Sequence, residues 1–155
     1  MPALAAALAI DDKFPQEVLN EIRNSFTHLA AANAETKDQS KLAHELNAAH
    51  RHLRRACIDC LKVCIYTLAK RCDKAIDALT YDLQLPDHVY KKMSTLRRRR
   101  KELSAAEGTR SLEDPLQEYE SLANDYDEFY VSLDQEFAGD TASDRKRLRV
   151  RARRR

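Results

Sequence analysis

The feature that most constrains the fold of this chain is a stretch of about forty residues that has helical periodicity and contains no helix breaker. No Gly or Pro occurs between Pro15 and Pro86, so nothing in this stretch interrupts helical hydrogen bonding. Its apolar positions recur every three or four residues: Leu42, Leu46, Ala49, Leu53, Ala56 or Cys57, Cys60, Cys64 and Leu68. One helix over residues 40–82, roughly 60 Å long, is therefore predicted.

Three shorter helices are predicted to pack along this long helix, over residues 14–34, 87–106 and 111–139. The first has an apolar stripe through Val18, Ile22, Phe26 and Leu29. Asp38 or Ser40 is suited to cap the long helix. The 155 residues include only 2 Gly and 4 Pro, too few for a chain of strands and tight turns. We predict an all-α, antiparallel bundle of four main helices with one long central helix.

Charge is distributed unevenly along the chain. Net charge is only +2, but residues 145–155 hold eight basic and no acidic residues, which leaves the preceding 144 residues with a net charge of −6. The domain organisation predicted from this is a bundle over residues 1–139, ended by Gly139, and a disordered basic tail over residues 140–155. Residues 91–101 are basic and 111–144 lack Lys and Arg, so the last two helices are expected to be antiparallel neighbours.

The cysteines and the lack of long apolar segments bear on the cellular location of the protein and on its cofactors. All four cysteines, Cys57, Cys60, Cys64 and Cys72, belong to the long predicted helix, where three continue its apolar stripe. They are interpreted as core residues and not as metal ligands, and a reduced, cytoplasmic setting fits free thiols. The apolar start MPALAAALAI lacks the charged beginning of a signal peptide, and no run is long enough to span a membrane. No cofactor or metal is predicted.

One motif in the first predicted helix suggests chemistry. It reads EIRNSFTH, in which Arg23 is followed by Asn24 and, after four intervening residues, by His28. The motif resembles the Arg-x4-6-His signature of HEPN domains, small all-helical domains that are often metal-independent ribonucleases of prokaryotic defence and toxin systems. The segment AAHRHLRRACIDCLKVC also resembles the long second helix of such proteins, and the likeness covers residues 14–83.

The resemblance implies a site formed by Arg23, Asn24 and His28. Histidine titrates near neutral pH and can act as acid or base, and Arg can hold a phosphate in bidentate fashion. Asn24 and His28 lie one turn apart, but Arg23 and His28 point about 140° apart on an ideal helix. In this family two copies of the motif face one phosphate, so the resemblance implies a homodimer or a higher homo-oligomer acting on RNA.

Basic residues provide a second set of candidates, for binding nucleic acid. A cluster on the long helix includes His52 and borders the motif if the first helix folds back; alternatively it is a solvated face paired with Glu45 and Asp59. The tail binds polyanions, either nucleic acid or an acidic protein, and has no aromatic residue for base stacking. The nucleic-acid-binding candidates are His50, Arg51, Arg54, Arg55, Arg145, Lys146, Arg147, Arg149, Arg151, Arg153, Arg154 and Arg155.

Two functions are consistent with these features. The first is a HEPN-like, metal-independent endoribonuclease, as a toxin or defence effector, in which Arg23, Asn24 and His28 act at a dimer interface. The alternative is a non-catalytic helical module that self-associates and binds nucleic acid, or serves as a regulatory subunit of a prokaryotic defence complex. Convergence of Arg23 and His28 across a dimer groove would favour the enzyme, and outward scatter would favour the module.

Overall fold

Four helices make up the described part of the chain. The computed structural model describes residues 15–34, 38–80, 85–108 and 114–152, with only the backbone described beyond residue 137. The helices are α1 (Gln16–Ala34), α2 (Gln39–Thr80), α3 (Asp87–Gly108) and α4 (Pro115–Ala152). These ranges contain no β-strand, and the all-α class with one long helix is confirmed, since α2 has 42 residues. None of the described helices is long and apolar enough to cross a membrane.

Aspartate side chains determine where two of the helices begin. Asp38 Oδ1 accepts hydrogen bonds from two backbone N–H groups of the first turn of α2, 3.0 and 3.2 Å away, which confirms it as a capping residue. Asp114 Oδ1 accepts a 3.3 Å hydrogen bond from the first turn of α4, where Pro115 occupies the first helical position. The sequence placed this start near Ser111, which lies outside the described residues.

The chain divides into two compact units. The first contains α1, α2 as far as Cys64 and residues 114–120. The second contains α2 from Ile65, α3 and α4 from Ser121. Both α2 and α4 therefore contribute residues to each unit, and each unit is a set of three helical segments.

The first unit contains an antiparallel hairpin with a core of small side chains. α1 and α2 run in opposite directions, because Glu21 contacts His52 while His28, one heptad later, contacts Glu45. The small buried residues that line this hairpin, each at most 4% exposed, are Val18, Ser25, Ala32, Ala48, Ala49 and Ala56. The same unit also buries Cys64 at the end of its α2 segment and one large side chain, Tyr119 of α4, each 3% exposed. This interior is narrow because alanine and serine allow the two helices to approach closely.

The apolar stripe predicted for α1 is wrong about which face is buried. Val18 is fully buried, but Phe26 is 66% and Leu29 39% exposed. The buried line instead has a seven-residue spacing through Val18, Ser25 and Ala32. Helix α1 presents this narrow line of small residues to α2, and the larger side chains next to it remain outside.

Large apolar residues of the first unit share one side of the hairpin. Each directly follows a residue that faces the opposite helix, and in an antiparallel pair such positions lie on the same side. We call this set the outer apolar face: Leu19, Phe26 and Leu29 on α1, and Leu46 and Leu53 on α2, each between 39% and 66% exposed. Leu46 and Leu53 were predicted to be core residues, and that part of the α2 stripe is wrong.

The second unit has a conventional core of large side chains. Residues at most 2% exposed come from all three of its helices: Ile65, Leu68, Cys72, Val89, Leu96, Leu122, Tyr126 and Leu133. The predicted antiparallel, charge-matched pairing of α3 and α4 is confirmed. Arg99 pairs with Asp125, and His88 Nε2 lies 3.5 Å from Glu136 Oε2.

The cysteines are free thiols in different surroundings. Cys64 and Cys72 are buried, as predicted, whereas Cys60 is half-buried and Cys57 is exposed, so the core interpretation is wrong for Cys57. Burial raises the pKa of Cys72 to about 12, and its thiol donates to the Tyr126 carbonyl at 3.8 Å. Cys72 therefore behaves as a small core residue and not as a nucleophile.

Helix α4 extends beyond its predicted end. Gly139 was predicted to stop the helix, but the helix continues to Ala152, so that prediction is wrong. A glycine inside a helix costs about 1 kcal/mol relative to alanine and does not by itself end it. Residues 140–152, predicted to form an irregular tail, therefore continue α4, and the good helix formers Lys, Arg and Leu after residue 144 favour this.

Candidate functional site

Two histidine–glutamate pairs cross between α1 and α2. His28 Nδ1 lies 2.6 Å from Glu45 Oε2, and His52 Nδ1 lies 2.5 Å from Glu21 Oε2. A carboxylate can only accept a hydrogen bond, so each ring donates its Nδ1 proton. This fixes the tautomer and leaves Nε2 of each ring as the nitrogen that can take up or release a proton.

The two imidazoles are stacked on one another. Their ring centroids are 5.2 Å apart and their planes differ by 15°. The register that pairs Glu21 with His52 places Ser25 opposite Ala48 in the layer between the two pairs, and both are buried. Small side chains in this layer leave room for rings from opposite helices to lean together. We call His28 and His52 the histidine pair.

The histidine pair is partly open to solvent and surrounded by charge. The side chains of His28 and His52 are 31% and 26% exposed, and their glutamates are less exposed. Arg55 Nη1 lies 3.5 Å from Glu21 Oε1. The hydrogen bond from His52, aided by Arg55, holds the pKa of Glu21 below its usual range despite the opposing effect of burial. With both rings neutral the cluster carries a net charge of −1, and each proton taken up adds one.

Of the three catalytic candidates, only His28 lies in this cluster. Arg23 is exposed, and Asn24 is half-buried one turn before His28. The only described contact of Arg23 is made by its carbonyl, which accepts a 3.1 Å hydrogen bond from Thr27. Within one chain the structure thus does not bring Arg23 to His28, in agreement with the 140° between them on an ideal helix of about 100° per residue.

The basic candidates on α2 have different surroundings. Arg54 Nη2 lies 2.7 Å from Asp114 Oδ1, and Arg55 pairs with Glu21, whereas His50 and Arg51 are exposed. The alternative partners suggested by the sequence, Glu45 and Asp59, are not theirs: Glu45 pairs with His28 and Asp59 with Lys62. The side chain of Arg55 is still 68% exposed, so Arg55, His50 and Arg51 are the accessible basic residues of this cluster.

The basic candidates near the C-terminus are placed only by their backbone. Five of them follow Gly139 on α4: Arg145, Lys146, Arg147, Arg149 and Arg151. The remaining three, Arg153, Arg154 and Arg155, lie outside the described residues. Their role in binding nucleic acid stays a prediction.

Sequence reasoning missed the partnership of His52, Glu21 and Glu45 with His28. A signal was present, because the pattern Glu-x6-His occurs twice, as Glu21…His28 and Glu45…His52. In an antiparallel hairpin, two such patterns place each histidine opposite the glutamate of the other helix. Reading each helix separately conceals this signal.

Two further features of the surroundings limit the chemistry. A cavity of about 510 Å³ at the end of the hairpin is lined by Glu45 and His44 but by neither ring of the histidine pair. In the described parts of the chain, no three or more His, Cys, Asp or Glu side chains are grouped so that they could hold a metal ion.

Comparison with known proteins adds no relative to this description. No family model matches the chain, and no curated protein and no solved structure matches it. The interpretation of the site therefore depends on its own geometry.

Proposed function

We propose that this chain is a metal-independent endoribonuclease of the HEPN-like kind, with His28 as an acid–base residue. The observation that supports this most is the 2.6 Å hydrogen bond between His28 Nδ1 and Glu45. It holds the ring in one orientation and one tautomer while leaving the side chain 31% exposed, which is what proton transfer to a bound substrate requires. An ordinary surface histidine has no such restraint.

A homodimer completes the site in this proposal. Arg23 is exposed and has no described contact with the histidine of its own chain, so it is available to hold a phosphate near His28 of the partner subunit. Asn24, half-buried beside His28, hydrogen-bonds the ribose or the phosphate. The outer apolar face supports self-association, because Phe26 alone leaves 66% of its surface exposed on the same helix as the motif.

Basic residues provide affinity for RNA without sequence preference. His50 and Arg51 on the first unit, and the arginine-rich end of α4, supply positive charge for phosphates. The proposed setting is the reducing cytoplasm of a prokaryote, where free thiols such as Cys57 persist and where a toxin or defence effector meets RNA.

The test is cleavage of RNA by the full-length chain in the presence of EDTA. We expect a panel of labelled single-stranded RNAs to be cut to fragments with 2′,3′-cyclic phosphate ends. His28→Ala is expected to lower the rate at least about 100-fold. His88→Ala is the matched control, because His88 belongs to the second unit, where it pairs with Glu136. This variant should cleave RNA at the normal rate. Absence of cleavage by the unmodified protein, or full activity of folded His28→Ala, would contradict the proposal.

A second candidate function is a non-catalytic module that self-associates and binds nucleic acid or regulates a larger complex. The outward position of Arg23 favours it, because one chain alone does not assemble the motif. The same assay separates the two functions. The module binds the RNA panel and releases it intact, and His28→Ala then leaves binding unchanged.

A further inference from the structure

The histidine pair offers two proton-transfer groups where the motif supplies one. We propose that His52 is a second catalytic residue, so that a single chain contributes both the base and the acid for RNA cleavage. The proposal rests on the ribonuclease function above and deepens it. It differs from a site in which each protomer of a dimer contributes one histidine, because both rings here belong to one hairpin.

Each ring is prepared in the same way. Nδ1 of His52 is held by Glu21 at 2.5 Å, and Nδ1 of His28 by Glu45 at 2.6 Å, so both rings direct their chemistry through Nε2. No described residue hydrogen-bonds either Nε2. Two glutamates that each fix a ring from the opposite helix are positioning residues, as carboxylates are beside catalytic or metal-binding histidines elsewhere.

The separation of the rings suits an in-line displacement. The attacking and leaving oxygens lie on opposite sides of phosphorus, so the two groups that exchange protons with them must stand a few ångströms apart, each within hydrogen-bond reach of about 3 Å. The ring centroids are 5.2 Å apart, which is on the scale of that separation. Isolated histidines elsewhere in the described chain, such as His88, lack a second ring.

Arg55 makes the two halves of the cluster unequal. It lies 3.5 Å from Glu21, whereas Glu45 has no cation among its described contacts except His28. We use this difference only to label the two halves, with His52 as the base and His28 as the acid, and the aryl substrate described below tests that order.

The reaction balances without a co-reactant. Nε2 of His52 accepts the proton of the ribose 2′-hydroxyl, and the 2′-oxygen forms a bond to phosphorus. The bond from phosphorus to the 5′-oxygen breaks, and the protonated Nε2 of His28 donates its proton to that oxygen. The products are a 2′,3′-cyclic phosphate and a 5′-hydroxyl, and the two rings exchange protonation states.

The test compares His52→Asn with His28→Asn in the full-length chain. The asparagine amide replaces the Nδ1 donor, so the hydrogen bond to the glutamate is retained while Nε2 is lost. Two substrates are used: an RNA oligonucleotide, and a uridine 3′-aryl phosphate whose phenolate leaves without protonation. His44→Asn, an exposed α2 residue outside the histidine pair, is the matched control.

We expect both variants to cleave RNA at least about 100-fold more slowly than the unmodified chain. Only His28→Asn should recover on the aryl substrate, because only the acid becomes unnecessary. The ratio of the two rates in one sample does not depend on how much protein is folded, so a partly unfolded variant remains informative. The RNA rate of the unmodified chain should rise and then fall with pH, and His52→Asn should lose the rising limb.

The outcomes distinguish this proposal from the proposed function. No cleavage of either substrate by the unmodified chain contradicts the ribonuclease itself. If cleavage requires His28 but His52→Asn cleaves RNA at the full rate and keeps both limbs of the pH profile, the ribonuclease function stands. The proposal that His52 is a second catalytic residue is then wrong. If the rate on the aryl substrate recovers in His52→Asn and not in His28→Asn, the roles of acid and base are assigned to the wrong histidines.

Discussion

The two units of this protein use the interior of a helical bundle in opposite ways. The second unit buries large side chains, among them Leu96, Leu122 and Tyr126, and its charges lie at the edges. The first unit buries mostly small side chains, with Tyr119 as its one large buried residue, places two histidines and two glutamates between α1 and α2, and leaves Phe26 66% exposed. Burial of large apolar side chains stabilises the second unit. The hairpin of the first unit buries less apolar surface, because ionisable side chains occupy part of the space between its helices. Such an exchange is typical of a functional site.

The largest effect expected from this difference concerns the cores. Leu96 in the second unit is 1% exposed, and Leu53 in the first is 44% exposed. We expect Leu96→Ala to lower the free energy of unfolding by about 3 kcal/mol through lost burial and a cavity. Leu53→Ala is the matched control, with an expected change of about 0.5 kcal/mol or less. Urea denaturation measures both, and equal losses would mean that the two units do not differ as described.

An intermediate effect is expected on self-association through the outer apolar face. Phe26→Lys should raise the dissociation constant about 30-fold, which corresponds to about 2 kcal/mol for an aromatic residue inside an interface. Sedimentation velocity over a range of concentrations measures this. Val131→Lys introduces the same charge at a 44% exposed position of the second unit and should associate normally. Identical sedimentation of Phe26→Lys and the unmodified chain would rule out this face as the dimer surface.

The smallest effect is the pH dependence of the ionic interior. The pKa of Glu21 is lowered on folding, chiefly by the His52 hydrogen bond, so the unfolded chain holds more protons where the two values differ. The stabilisation by Glu21 is thus complete above the ordinary glutamate value of about 4.3 and is lost as pH falls through the lower folded value. Urea denaturation should show Glu21→Gln less stable at pH 7, with the gap closing in acid. Glu120→Gln, at an exposed position of the same unit, should show no such trend, and a gap independent of pH would contradict the prediction.

The helices and their starts were largely predictable because they depend on local chemistry. The absence of Gly and Pro from residue 16 to 85 allowed α2 to be predicted within two residues of its observed end at Thr80. The cap at Asp38 was predicted because its side chain bonds the first turn of its own helix. The start of α4 was instead placed near Ser111, outside the described residues, whereas Asp114 is the side chain that bonds the first turn there. The predicted stop of the last helix at Gly139 was wrong, because one glycine costs only about 1 kcal/mol and the residues that follow it favour a helix.

The sequence by itself determined the all-α class, the long helix and the charge matching of Arg99 with the acidic α4. Only the tertiary structure decided that Ser25 points inward and Phe26 outward, and that His52 stacks on His28. Helical periodicity specifies which residues share a face, but the choice between adjacent faces depends on the helix that packs against them. Register between two helices is a property of the pair, so the crossed arrangement of glutamates and histidines is absent from either helix alone.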